Sequence, residues 1–503
     1  MSNARETDHF ICALTRLRQA ESLLEECLDD DMLKMTSAEV EKIQHIRYGK
    51  TWKLYLALCV ITKDGFGALA KSAIKRDIGA IRQMMLDVDW LKPTRAMLEE
   101  RTRELINQTG TYQDRIMAQR KAVLELIDAA HEAGRRTYLI MAPYFTMERL
   151  ADGYFQRVQA VDQMMPEDSL KIYASWLDAD MLWQVPKVLF WDDTHIEIRY
   201  AHPHRENDAW ILTIARHVDA VYHHSITFAN QLVTLDSQVR KAFDMHGAYP
   251  EELRLYGRNT QAKLDEQQEK LAMEHAQCMV CVTQNMVEHL KQKYGCVPEK
   301  VILLPIFDEQ RLKRCKEQGK NSNGRTVVYA GGTQKWQNVE TMQKAASLVR
   351  TMTYRFFTPQ PRAFLQNWPC YKRPKDMEVC SKTPEQVIEA YAFCDYGFLL
   401  RDDITVNRVA CPTKLVEYLA AGIVPILNTS QIGDFVNDGM VYVSLEDFLS
   451  GKLLNDNERK MAVQQNLQVV QKLERRYFEG KRQLCSWLEN EVKEISYEKS
   501  SPK

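Results

Sequence analysis

From Arg135 onward, short apolar runs alternate with helical or loop segments, and this alternation restricts the chain to an α/β architecture built on parallel sheets. TYLIMAP, KIYASW, KVLFWDD, DAVYHHS, KAFDMHG and CMVCVT form a first series. Their branched and aromatic residues follow one another with little polar alternation, as strands covered on both faces require. A polar connector, EQGKNSNGR at 317–325, precedes a second series: TVVYAGG, TYRFFT, the helix PEQVIEAYAFC, YGFLL, the helix PTKLVEYLAAG and IVPIL. Two series predict two lobes. Pro425 removes a ladder donor from IVPIL, so that strand is expected to be irregular there, although its apolar neighbours favour burial.

The flanks have a different texture. Residues 1–133 carry apolar positions at helical spacing, as in ICALTRLRQAESLLEECL and EVEKIQHIRYGKTWKLYLALCVI, with breaks at Asp64-Gly65 and from Trp90 to Pro93. They predict a helical extension of four or five helices. The run from Asn457 to about Ile495 is charged and helical, suited to packing back across both lobes. The predicted organisation is therefore 1–133, 134–318, 319–456 and 457–503.

Charge and cysteine usage exclude several functions. With 67 basic and 68 acidic residues in 503, the net charge is -1, and no global field holds such a chain on nucleic acid or anionic lipid. Through residue 130 the charges balance at twenty each, which argues against a polybasic anchor. The extension could instead dock a protein or a peripheral membrane partner through Trp52, Leu54, Tyr55 and Leu58, with helix packing the plainer reading. Twelve scattered cysteines form no disulfide framework, and Cys278 and Cys281 sit in an apolar run as buried strand thiols. The opening MSNARETDH lacks a signal core and no apolar stretch approaches the ~20 residues of a span, so a cytoplasmic location is expected. Six histidines fall between His195 and His224, including His202, His204, His223 and His224, but without metal-ligand spacing. Neither they nor Asp178-Ala179-Asp180 predict a metal.

Two segments carry chemistry. In VVYAGGTQKWQNVETMQKAASLV a buried strand ends in Gly331-Gly332, and a helix follows from an N-cap at Asn338. Paired glycines let backbone approach a diphosphate, and Lys335 adds positive charge; the alternative is an ordinary strand-to-helix turn. In LLRDDITVNRVACPTKLVEYLAAG, Pro412 opens a helix and Gly422 closes it, with Lys414 and Glu417 three apart on one face. A cation for phosphate and a carboxylate for ribose hydroxyls suit a nucleoside diphosphate; a surface ion pair is the plainer alternative.

These two signals, in this order and roughly eighty residues apart, resemble the donor-binding half of family 4 retaining glycosyltransferases. The resemblance implies a GT-B fold with an acceptor-side lobe at 134–318 and a donor-side lobe at 319–456. It implies that Gly331, Gly332 and Lys335 hold the donor diphosphate, that Glu417 binds the ribose, and that Lys414 and Arg401 lie near the phosphates. Gly153 and Arg157 in ADGYFQRVQAVDQMM are similar to the family's cleft-facing glycine loop. His246-Gly247 resembles the acceptor-side histidine segment, which makes His246, with Lys335 and Lys414, the catalytic candidates. Two departures stand out: Val409 occupies the place of a glutamate eight residues before the ribose carboxylate, and Thr333 or Gln334 replaces an arginine of the glycine turn.

The activity this implies is sugar transfer from a nucleotide-sugar to a glycan or lipid-linked acceptor, as in polysaccharide biosynthesis. Retention, no separate cofactor and no obligatory metal are part of that expectation. A nucleotide-sugar epimerase on the same scaffold, or a decayed partner that only binds the nucleotide-sugar, are the alternatives.

Overall fold

The computed structural model describes residues 9–23, 110–176, 186–200, 205–226, 239–317, 319–322 and 324–489. Outside them lie Trp52, Leu54, Tyr55, Leu58, the breaks at Asp64-Gly65 and from Trp90 to Pro93, Asp178-Ala179-Asp180, His202 and His204. The strands are β1 (Thr137–Met141), β2 (Leu170–Trp176), β3 (Lys187–Phe190), β4 (His195–Tyr200), β5 (Ala220–His224), β6 (Lys241–Met245) and β7 (Cys278–Cys281). They continue with β8 (Lys300–Leu303), β9 (Thr326–Ala330), β10 (Thr353–Phe357), β11 (Met377–Cys380), β12 (Tyr396–Phe398), β13 (Val424–Leu427) and β14 (Val443–Ser444). Two compact units emerge, one from Met1–Thr137 with Asp168–His217, the other from Tyr138–Glu167 with Val218–Lys503.

In the first unit, the 9–23 helix and the Gly110–Glu132 helix meet through Gln119, whose amide donates to Glu21 and to the Pro186 carbonyl. β2 pairs with β4 in parallel, but β3 runs antiparallel to β4. This corrects the all-parallel expectation for KVLFWDD. Only four residues join β3 to β4, too few for a crossover, and the Asp192 carboxylate closes the turn by accepting from the Thr194 and His195 amides. β4 was hidden because HIEIRY is half polar; its Glu197 is buried and accepts from Ser175 Oγ at 2.9 Å.

In the second unit β1, β5, β6, β7 and β8 pair in parallel, in that order. A separate six-stranded sheet has the order β11-β10-β9-β12-β13-β14, again parallel throughout. Counted from β9 this is 3-2-1-4-5-6, the Rossmann order, in which the chain reverses direction across the sheet between its first and fourth strands. The carboxyl ends of β9 and β12 therefore flank a crevice. Tyr329, Tyr354, Phe356, Phe398 and Ile426 build the core beneath it.

Pro425 lies inside this sheet without breaking it. The Val424 amide bonds to the Asp395 carbonyl on the β12 side, so the missing donor of Pro425 faces the other way. There β14 begins only opposite Ile426, and no ladder bond is lost.

The Asp456–Glu489 helix touches both sheets of this unit. Asn466 brackets Val441, accepting from its amide and donating to its carbonyl, while Cys485 donates to the Met164 carbonyl. Gly480 lies so close to the Leu303 carbonyl that a Cβ there would sit 2.1 Å from its oxygen. Among the described residues no helix is long and apolar enough to cross a membrane.

Candidate functional site

The glycine turn sits at the crevice. β9 delivers Gly331, whose amide donates to the Phe357 carbonyl, and Tyr329 Oη holds the bend by donating to the Gly332 carbonyl at 2.5 Å. Lys414 enters from the Thr413–Ala420 helix, places its ammonium 4.0 Å from the Tyr329 ring centroid, and donates to Gln337 Oε1 at 3.1 Å. A Cβ on Gly331 would lie 2.5 Å from Lys414 Nζ, so the glycine is what allows the amine onto the turn.

Arg401, three residues past the end of β12, is 8% exposed. Its Nε has no hydrogen-bond partner, while its Nη1 donates to Asn407 Oδ1 at 3.5 Å. Burial pushes the Arg401 guanidinium down to about 10. Burial, and then the charge of Arg401, holds the Lys414 ammonium far below the usual lysine range, with Glu417 acting the other way. Neither cation forms an ion pair with a carboxylate among the described residues. Two basic groups without a carboxylate partner among the described residues converge where a Rossmann sheet presents a glycine bend, and that arrangement favours a buried anion, which would stabilise their charged forms.

The other donor-side candidates are placed differently. Lys335 lies in a short 3-10 turn, and its ammonium donates to the Leu255 carbonyl at 2.9 Å. Glu417, 4% exposed, contacts Arg311 Nε at 2.7 Å and accepts from Tyr391 Oη at 2.9 Å. The Arg311 contact is an ion pair whose angle makes no hydrogen bond. Burial raises the Glu417 carboxyl, opposed by Arg311 and Tyr391. Asn338 does precede the Val339–Leu348 helix, but its side chain caps nothing. It adopts a left-handed φ of 52° and donates to Asp402 Oδ1 instead, which corrects the N-cap expectation. Val409, 2% exposed, packs with Phe243, Met245 and Met279, and its carbonyl accepts from Thr283 Oγ1. The position of the absent glutamate is thus core.

On the β1–β8 side, His246 and Gly247 directly follow β6. His246 Nε2 is buried without a partner, and burial lowers the imidazole while Asp244 opposes. Behind it, Arg157 makes a two-pronged pair with Asp244 at 2.9 and 3.0 Å, and Tyr222 Oη donates to the same carboxylate. Arg157 is therefore committed to the β6 carboxylate. Gly153 starts its helix after the Asp152 cap, with open space around it. Cys278 and Cys281 are buried, and burial pushes the Cys278 thiol up to about 12.

Glu252 escaped the sequence reading. It sits on the Tyr249–Leu255 helix, its Oε1 only 2.8 Å from where a Gly247 Cβ would be, and burial raises its carboxyl while Arg401 opposes. Arg401, whose charge acts on it, comes from a segment over 140 residues away, so no local signal marks it. Tyr329 and Asn407 were missed for the same reason.

No protein-family model matches the chain, and no curated protein matches its sequence. Among solved structures it is similar to the trehalose-6-phosphate synthase OtsA, with a TM-score of 0.49 and 10% identity over 71% of this chain and 99% of that one. It is similar to an alpha,alpha-trehalose-phosphate synthase (UDP-forming) from Burkholderia vietnamiensis, with a TM-score of 0.46 and 11% identity over 71% and 98%. A glycosyltransferase from Rickettsia africae gives a TM-score of 0.45 and 14% identity over 71% and 99%. At these scores the likeness assigns neither family nor substrate.

Proposed function

We propose that the chain is a GT-B glycosyltransferase that holds a nucleoside diphosphate sugar at the Gly331-Gly332 bend and transfers its sugar to a glycan or lipid-linked acceptor. The observation that carries this reading is the pair of buried cations, Lys414 and Arg401, converging on the bend without a carboxylate partner among the described residues. A diphosphate leaving group bears the charge they lack, and developing negative charge on it is stabilised by preorganised donors in a site shielded from water. The bend's backbone lies beside them, and Lys335, three residues on from Gly332, adds positive charge from its place against the Leu255 carbonyl. Glu417 would accept from ribose hydroxyls with the lone pairs that Arg311 and Tyr391 leave free. His246, with its unpaired Nε2, is the candidate group for the acceptor.

The site has no need of a metal in this scheme, since the phosphate charge is met by side chains. A cytoplasmic location and retention at the anomeric carbon complete the proposal. With the full chain, incubation of UDP-, GDP- and ADP-sugars with glycan acceptors should yield a sugar-extended product and free nucleoside diphosphate. An altered donor sugar formed without acceptor would instead indicate an epimerase, and donor binding without turnover would indicate a decayed binding partner.

A further inference from the structure

Val409 leaves the second sheet without the carboxylate expected to meet the donor sugar, and Glu252 stands where another could reach it. Its helix begins at Tyr249, right after the His246-Gly247 turn, and it carries Leu255, whose carbonyl accepts from Lys335 of the glycine turn. Trp336 of the same turn packs edge-on against Tyr256, with ring centroids 6.0 Å apart. The helix is thus tied down over the bend. From it Glu252 points back to Gly247, and Arg401 acts on its charge from the second sheet.

Glu252 forms no ion pair or side-chain hydrogen bond with the described residues, although it is partly buried between charged groups. Arg401 Nε, buried and near enough for its charge to act on Glu252, likewise lacks a partner. An acceptor and a donor left open beside one another suit a polar ligand with several hydroxyls. A carboxylate has two oxygens and accepts only, which suits a pair of adjacent sugar hydroxyls.

Resting on the diphosphate reading above, we propose that Glu252 is the positioning residue for the donor sugar, reaching its hydroxyls from the β6 side in place of the side chain missing at Val409. Gly247 is part of the same device, because any side chain there would displace the Glu252 carboxylate.

The test compares two ligands on the full chain: the nucleoside diphosphate that wild type binds best among UDP, GDP and ADP, and its sugar conjugate. By calorimetry, Glu252→Gln should weaken the sugar conjugate at least tenfold while binding the diphosphate alone as well as wild type or better. The second effect has a separate cause, namely the loss of a negative charge near Arg401. Gly247→Ala should weaken the conjugate in the same direction by a smaller factor. A general structural role would weaken both ligands together, and that result, or wild-type affinity for the conjugate in Glu252→Gln, overturns the inference. If wild type binds neither ligand, the diphosphate reading itself falls and Glu252 with it.

Discussion

Lys414 and Arg401 show how burial turns an ordinary side chain into a ligand detector. A basic group removed from water without a carboxylate partner is costly even when neutral groups meet it, so its persistence implies a use beyond stability. Both residues were legible in the sequence, Lys414 from its place on a helix opened by proline and closed by glycine, Arg401 from the resemblance that this helix carries. Sequence could not indicate that Arg401 lacks a carboxylate partner or that Glu417 already holds Arg311 and Tyr391, since those facts depend on side chains meeting across the fold. For Glu417→Gln, denaturant melts should register a loss of about 1–3 kcal/mol, because Arg311 loses its counter-charge, together with weaker nucleotide binding.

His223 offers a pH prediction at the same scale. It is wholly buried, stacked on Phe243 with centroids 4.1 Å apart, and both ring nitrogens lack partners. Burial, with Lys241 and His224 adding to it, lowers the imidazole to about 3. Below the unfolded value of 6.5 the unfolded chain binds the proton first, so this residue's contribution falls with pH by about 1.4 kcal/mol per unit until about pH 3. His223→Phe should flatten the dependence of the unfolding free energy on pH between 6.5 and 3. An unchanged slope would mean that His223 titrates normally.

At the scale of elements, the strands richest in branched and aromatic residues were legible one by one. β4, β8, β11 and β14 were not, because the first alternates with charges and the others are short strands at sheet edges. The Asp192 turn sets β3 antiparallel, a chain reversal decided by loop length rather than by strand composition. The bend after β9 shows the reverse case, in which sequence located the glycines but only the strand order explained them. Position 331 must leave room for Lys414 Nζ, so Gly331→Ala should move the amine and cut diphosphate affinity at least tenfold. Far-UV circular dichroism should stay unchanged, because the obstruction is the movable end of a side chain.

Over the whole second unit, the two sheets are joined by polar ties at defined places. Asp434 caps the Gln284–Tyr294 helix by accepting from the Gln284 and Asn285 amides, and Thr283 Oγ1 donates to the Val409 carbonyl. Val409 itself contributes apolar packing to the β6–β7 side. Restoring a glutamate there by Val409→Glu should therefore cost on the order of 3 kcal/mol, through burial of an unpaired carboxyl, and should not raise turnover. A gain in activity would show that position 409 reaches the sugar after all.

The most direct test concerns the charge at the bend. Lys414→Met keeps nearly the length of the side chain and removes the buried ammonium. The expected result is a higher melting temperature for the ligand-free chain, because a buried amine without a carboxylate partner gives way to an apolar side chain, together with loss of the stabilisation that a nucleoside diphosphate gives to wild type. An undiminished diphosphate shift in Lys414→Met would place the phosphates elsewhere and contradict the site.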